Sequence, residues 1–136
     1  RKIQAVAGGD LFEITVADSY PSRYQDTVDR ARRELDDNAR PVLSSAVENM
    51  SDYDVILLGY PIWWHTAPMA VNTFLESYDL TDKLILPFCT SGGSDIEESM
   101  PDIRRSGSGA TVRTGLTANS LSREQITDWL TSNGLK

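Results

Sequence analysis

Two adjacent tryptophans, Trp63 and Trp64, are the residues of this chain best suited to binding a ligand. They follow the apolar run 55–58, which predicts a strand buried on both faces, and precede a segment with helical apolar spacing. Ligands of open α/β sheets bind at the carboxyl ends of strands, so the indoles could form a stacking platform for a flat aromatic ligand. The alternative is that one indole packs under its loop and the other covers the domain edge. Neighbouring side chains of an extended loop point in different directions, so we do not expect both indoles in one core.

A second loop with ligand-binding chemistry follows the apolar run 83–89, which predicts another central strand. This loop offers the hydroxyls of Thr90, Ser91 and Ser94 and the backbone N–H groups of Gly92 and Gly93. Glycines let a backbone approach a ligand closely. Donors here and indole faces on the first loop would suit a heteroaromatic ring with carbonyls and nitrogens along one edge. The alternative is that the glycine pair only forms a turn.

The single histidine and the single cysteine limit the remaining chemistry. His65 could donate a hydrogen bond to a ligand or titrate near neutral pH, or it could be an exposed loop residue. Cys89 cannot form an internal disulfide, and we expect a buried apolar residue rather than a nucleophile because no base is identifiable beside it. We therefore predict neither a catalytic side chain nor a metal site.

Length and charge set the class of protein. The 136 residues predict a single domain over 1–136 with a proper core. The net charge of −7 argues against nucleic acid as a partner and permits a basic protein partner. No apolar run approaches the roughly 20 residues of a membrane-spanning helix. A cytoplasmic location is expected.

The order of predicted elements indicates an α/β protein with a parallel sheet between two layers of helices. The predicted elements are the end of a helix at 1–7, an edge strand at 11–16, a helix at 22–38, a short helix within 42–52, strands at 54–59 and 83–89, helices from 69, 95 and 123, and an edge strand at 110–117.

Several single residues carry local predictions. Thr66 is expected to cap the helix that follows it, and Ser122 with Gln125 forms a capping box for the last helix. Trp129 is expected in the core. On the helix at 22–38 we expect one apolar face, formed by Tyr24, Val28, Ala31 and Leu35.

The two loops together resemble the flavodoxin-like family, most closely the short bacterial flavodoxins with a Trp-Trp loop. The resemblance rests on Gly-Tyr-Pro-Ile-Trp-Trp-His-Thr-Ala-Pro at 59–68, Thr-Phe-Leu-Glu-Ser-Tyr at 73–78 and Pro-Phe-Cys-Thr-Ser-Gly-Gly-Ser at 87–94. It implies a doubly wound sheet of strand order 2-1-3-4-5 that binds FMN. By this resemblance one loop would contact the isoalloxazine ring through Pro61, Ile62, Trp63, Trp64 and His65, with either tryptophan stacking, and the other would hold the pyrimidine edge through Thr90, Ser91, Gly92, Gly93 and Ser94.

The chain departs from the family pattern in two places. The family's first central strand and its phosphate loop have no counterpart, so no residue is assigned to the FMN phosphate. The strands at 11–16 and 54–59 would then flank an unfilled slot or pair directly, and a homodimer could form through the slot. We expect the 136-residue chain to bind FMN weakly or not at all. His65 also stands where many relatives carry a small residue, often glycine.

The resemblance implies an FMN-dependent electron-transfer protein that acts with redox protein partners. It favours an electron carrier over an enzyme. Two alternatives stay open at this point: an NAD(P)H-dependent FMN quinone reductase on the same scaffold, and a cofactor-free truncated flavodoxin-like module.

Overall fold

A parallel sheet with helices on both faces forms the centre of the computed structural model, which describes residues 3, 7–18, 23–64, 66–90, 96–113, 115–117 and 122–134. Ile3 and Ala7 are helical, in line with the helix end predicted at 1–7. The further elements, in chain order, are α1 (Tyr24–Asp36), a 3₁₀ turn (Met50–Asp52), β1 (Val55–Pro61), α2 (Met69–Glu76), β2 (Leu84–Thr90), a 3₁₀ turn (Ile96–Ser99), α3 (Met100–Ser106), β3 (Thr111–Val112), β4 (Leu116–Thr117) and α4 (Arg123–Ser132).

The sheet is built around β2. Strand β1 lies parallel to β2 over its whole length, from the pair Val55 and Leu84 to the pair Pro61 and Thr90. On the other side of β2, the short strands β3 and β4 pair with its beginning and its end, both in parallel. The predicted strand at 110–117 is therefore present but interrupted between Val112 and Leu116, and the α/β parallel architecture is confirmed.

Alternate residues of β2 point into two separate cores. Ile85 and Cys89 pack into a cluster with Phe74 of α2 and Ile103 of α3. Leu86, which follows Ile85, packs into a second cluster with the apolar face of α4. Each fully buried leucine or isoleucine stabilises the fold by roughly 1.5–3 kcal/mol. A parallel strand buried on both faces explains the unbroken apolar sequence of this element.

The edge strand predicted at 11–16 is wrong. Val16 forms only an isolated antiparallel bridge with Leu43, supported by hydrogen bonds from Ala17 N to Val42 O and from Ser44 N to Thr15 O, both 2.8 Å. The segment predicted as a short helix supplies that bridge and is helical only in the turn Met50–Asp52. In the described part of the chain no strand lies beside residues 11–16 with which they could form a ladder.

A groove of about 1440 Å³ runs along the edge of β1 that faces away from β2. All seven residues of Val55–Pro61 line it on one side, and the segments 7–16 and 46–50 line it on the other. Within the described ranges no strand pairs with β1 on this side. Residues 11–16 and β1 thus flank an open slot and do not pair with each other, which decides between the two arrangements expected from the sequence.

The ends and faces of the helices follow the predictions in part. Helix α1 lies within 22–38 as expected and buries Ala31, but Tyr24 is 83% exposed and does not belong to its apolar face. Pro68, not Thr66, is the N-cap of α2, because the helix begins at Met69; the Thr66 hydroxyl bonds to Asp102 instead. Both hydrogen bonds of the capping box are present at Ser122. Trp129 is buried as predicted.

None of the helices described is long and apolar enough to cross a lipid bilayer.

Candidate functional site

The two predicted ligand loops leave the sheet side by side. Pro61 and Thr90 end the paired strands β1 and β2, and the Ile62 amide then donates to the Thr90 carbonyl at 3.2 Å. Both loops therefore begin at the same carboxyl edge, as expected for ligand-binding loops of a parallel sheet.

A tight turn carries the tryptophan pair. The Trp63 amide donates to the Thr66 carbonyl at 2.8 Å, and the Thr66 amide donates back to the Trp63 carbonyl at 3.2 Å. Inside this turn Trp64 adopts φ = 53°, in the left-handed region. A bulky side chain rarely occurs there, because its Cβ crowds the backbone.

The Trp64 side chain is turned towards helix α1. Its indole Nε1 donates to the Val28 carbonyl at 3.1 Å, and the Arg32 guanidinium carbon lies 5.0 Å from the ring centroid. This is within the range of a cation–π contact, which contributes about 0.5–1 kcal/mol at an exposed site. Trp64 remains 39% exposed.

Trp63 has a different environment. It is half-buried and lines the groove beside β1, together with Pro61. The two indoles therefore do not share one core, in agreement with the sequence-based expectation. The Arg32 guanidinium lies over a face of Trp64, whereas Trp63 lies beside the groove.

The end of the turn is fixed on α3. Thr66 is buried, and its hydroxyl donates to Asp102 Oδ2 at 2.9 Å, while Asp102 Oδ1 accepts from Arg105 at 2.7 Å. Sequence reasoning missed this anchor because Asp102 lies 36 residues away and nothing in the local pattern of Thr66 points to it.

A buried hydroxyl pair joins β1 to the 3₁₀ turn Ile96–Ser99. Tyr60 Oη and Ser99 Oγ are 2.8 Å apart, and Ser99 donates to the Ile96 carbonyl at 2.7 Å. Since serine has one proton and gives it to Ile96, Tyr60 is the donor of the pair. Burial raises the pKa of Tyr60 to about 12, so the phenol is neutral at physiological pH.

The structure describes five of the ten predicted site residues. Pro61 and Trp63 line the groove, and Trp64 packs on α1. Ile62 packs against the core, and Thr90 is exposed at the end of β2. The remaining predicted residues lie outside the described part of the chain: His65, Ser91, Gly92, Gly93 and Ser94.

Cys89 of β2 is fully buried in the core cluster that includes residues of α2 and α3, as predicted for an apolar residue. Across the residues that the structure describes, no three histidine, cysteine or acidic side chains come together as a metal site.

Comparison with known proteins places this geometry in a family. The family model described as Flavodoxin matches residues 1–133. A crystal structure of a Bacteroides eggerthii protein described as a flavoprotein has a TM-score of 0.91 and 36% identity, and the match covers 99% of this chain and 87% of that one. A Bacteroides uniformis protein described in the same way has a TM-score of 0.85 and 33% identity, covering 96% and 86% of the two chains.

A more distant structure shares the fold. The flavoprotein of Lactobacillus acidophilus, solved in complex with FMN, has a TM-score of 0.73 and 21% identity, with 94% of this chain and 85% of that one covered. A search of curated protein sequences finds no match.

Proposed function

Because the chain belongs to the flavodoxin family, we propose that it binds FMN and transfers electrons to and from protein partners. One observation supports this most: Trp63 is half-buried at the carboxyl end of β1, beside the groove, on a turn held by β2, α1 and α3. A flat ring needs an aromatic face on a rigid support, and this turn provides one.

The described residues fit the ring of a flavin. Trp63 would stack on it, Pro61 would border it, and the exposed Thr90 at the end of β2 would reach its polar edge. By family resemblance His65 and the loop Ser91–Ser94 would complete the site. FMN supplies the reversible uptake of electrons, while the chain's own residues bind and orient the ring.

The charge of the chain is suited to a basic redox partner. With a net charge of −7, long-range attraction would speed encounter with a positively charged surface. Raising the ionic strength should then slow the electron transfer between the two proteins, since salt screens exposed charges.

Titration with FMN and, separately, with riboflavin tests the proposal, with flavin fluorescence as the signal. A stacked indole quenches that fluorescence. We expect quenching by both compounds, with dissociation constants above roughly 1 µM and within about tenfold of each other, because the described contacts all address the ring. No quenching at millimolar flavin would overturn the proposal. Sub-micromolar FMN affinity with much weaker riboflavin binding would contradict the expectation of weak binding and reveal a phosphate site.

The variant Trp63→Leu ties the signal to the proposed site. It should weaken flavin binding about tenfold, the upper range for the loss of one aromatic contact. Tyr24→Leu is the matched control, because it removes an aromatic ring that is 83% exposed on α1. Steady-state oxidation of NAD(P)H with a quinone, measured on the flavin-loaded protein, separates a carrier from a reductase: a carrier should give no sustained turnover.

A further inference from the structure

The strained backbone of Trp64 coincides with two contacts to one helix. A residue held in the left-handed region persists only when its surroundings fix it, and such strain clusters at ligand sites. For Trp64 the surroundings are the Val28 carbonyl, which accepts the indole N–H at 3.1 Å, and the Arg32 guanidinium, 5.0 Å from the ring centroid.

We propose that Trp64 is a positioning residue: it fixes the turn Trp63–Thr66 on helix α1 through Val28 and Arg32, and thereby holds Trp63 beside the groove. The effect on ligand binding rests on the proposed function. The attachment of the turn to α1 does not, and it can be measured without any flavin.

The partners on α1 are arranged along a single line of the helix. Val28, Arg32 and Asp36 are spaced by four residues and therefore lie one above the other on the same face. Arg32 Nε donates to both carboxylate oxygens of Asp36, at 3.1 and 3.2 Å, which helps to orient the guanidinium. The Trp64 indole thus covers one turn of α1, bonded at one end and under a cation at the other.

This arrangement gives the adjacent tryptophans different tasks. Trp64 uses its N–H and a face of its ring on α1, whereas Trp63 lines the groove. The turn between them is closed by the reciprocal hydrogen bonds of Trp63 and Thr66. Loosening the indole from α1 should therefore release the strain at Trp64 by opening these bonds, and Trp63 would move with them.

Three variants separate the contacts. Trp64→Phe removes the N–H donor and keeps a ring under Arg32, and Trp64→Leu removes both contacts. Arg32→Gln keeps the indole N–H bond and removes the cation together with its ion pair to Asp36. Arg32→Lys keeps the cation and should restore what Arg32→Gln loses. Two controls match the side effects of Arg32→Gln: Arg33→Gln makes the same charge change at an exposed neighbour, and Asp36→Asn breaks the ion pair with Arg32.

The first measurement is amide hydrogen exchange of the apo protein at Trp63 and Thr66. We expect exchange about tenfold faster in Trp64→Leu and several-fold faster in Arg32→Gln, with β2 amides unchanged and with wild-type rates in Arg33→Gln. The double variant Trp64→Leu/Arg32→Gln should match Trp64→Leu alone, since the cation has then lost its ring. Independent, multiplying effects of the two changes, or unchanged exchange in Trp64→Leu, would overturn the proposal.

The second measurement is the flavin dissociation constant of the same variants, well below their melting temperatures. We expect a rise of about tenfold in Trp64→Leu, a smaller rise in Arg32→Gln, and rescue in Arg32→Lys. Faster exchange with unchanged flavin affinity would show a purely structural contact and overturn the positioning role. If the wild type binds no flavin, the proposed function fails, and the exchange data alone support or overturn the attachment to α1.

Discussion

Gly59 in β1 lies directly opposite Phe88 in β2, and the Phe88 ring occupies the space where a side chain on Gly59 would begin. A Cβ built on Gly59 would lie 2.4 Å from Cζ of that ring. The ring is itself held edge-on against Trp129, with centroids 6.1 Å apart. The glycine thus permits the aromatic contact between the sheet and α4.

Gly59→Ala should therefore lower the free energy of unfolding by about 1–3 kcal/mol, because Phe88 must leave its position against Trp129. Urea denaturation measures this. Phe88→Leu alone should also destabilise, but the double variant should lose less than the sum of the two, since leucine makes room for the new methyl group. A Gly59→Ala protein as stable as the wild type would contradict the prediction.

Tyr60→Phe should lower the stability at pH 7 by about 1 kcal/mol, the net value of one hydrogen bond, here the bond to Ser99. Its effect should also change with pH. The pKa of Tyr60, raised by burial to about 12, lies above its ordinary value of 10.0, so its contribution is complete below pH 10.0 and is lost as the pH rises towards 12.

Thermal unfolding between neutral pH and about pH 12 checks this expectation, because the wild type should lose stability over a range in which the variant changes less. Tyr24→Phe, at a position 83% exposed, should leave the neutral-pH melting temperature unchanged. If the melting temperatures of the wild type and Tyr60→Phe fall in parallel as the pH rises, the buried phenol does not cause the loss of stability at high pH.

Glu76→Gln should cost less than about 1 kcal/mol at neutral pH, because the pair with Arg40 is partly exposed to solvent. Hydrogen bonding to Arg40 lowers the pKa of Glu76 below 4.5, so its stabilising contribution is present above pH 4.5 and is lost as the pH falls through the folded-state value. Acid titration of the melting temperature should show a shallower decline in the variant. Glu48→Gln is the charge-matched control. If it makes the acid decline of the melting temperature equally shallow, the effect does not come from the Glu76–Arg40 pair.

Ser122→Ala should destabilise the protein by about 1 kcal/mol, because the Ser122 hydroxyl accepts from the Gln125 amide at 3.1 Å at the start of α4. Ser122→Gly should lower the stability by only about a few tenths of a kcal/mol, since glycine is tolerated at the N-cap. Denaturation midpoints of the two variants give the comparison. A larger loss for glycine than for alanine would mean that backbone flexibility, not the cap, dominates.

Elements that depend on their own sequence were predictable. The strands β1 and β2 are apolar runs because helices cover both faces of the sheet, and α4 was marked by its capping box at Ser122. The strand predicted at 11–16 is absent because a strand forms only beside another strand with which it can make hydrogen bonds. The alternating pattern of 11–16 could not reveal that Val16 forms an isolated bridge with Leu43.

The position of the tryptophan pair was predictable, but the different surroundings of its two members were not. The sequence put Trp63 and Trp64 at the end of a buried strand, and left open which of them would stack. Their different surroundings depend on the left-handed backbone of Trp64 and on Arg32, which comes from a helix far earlier in the chain. Thr66 was assigned to the wrong helix for the same reason, because Asp102 is distant in sequence.

The edge of β1 beside the groove has a consequence for the behaviour of the protein at high concentration. Val55–Pro61 carries no charge and has its single proline at the last position, the composition of segments that stack into amyloid-like sheets. Its described edge offers a row of backbone donors and acceptors without a strand beside it. Growth of intermolecular sheets by the 136-residue chain, detectable as a lag phase in thioflavin fluorescence, should therefore begin at this edge of β1.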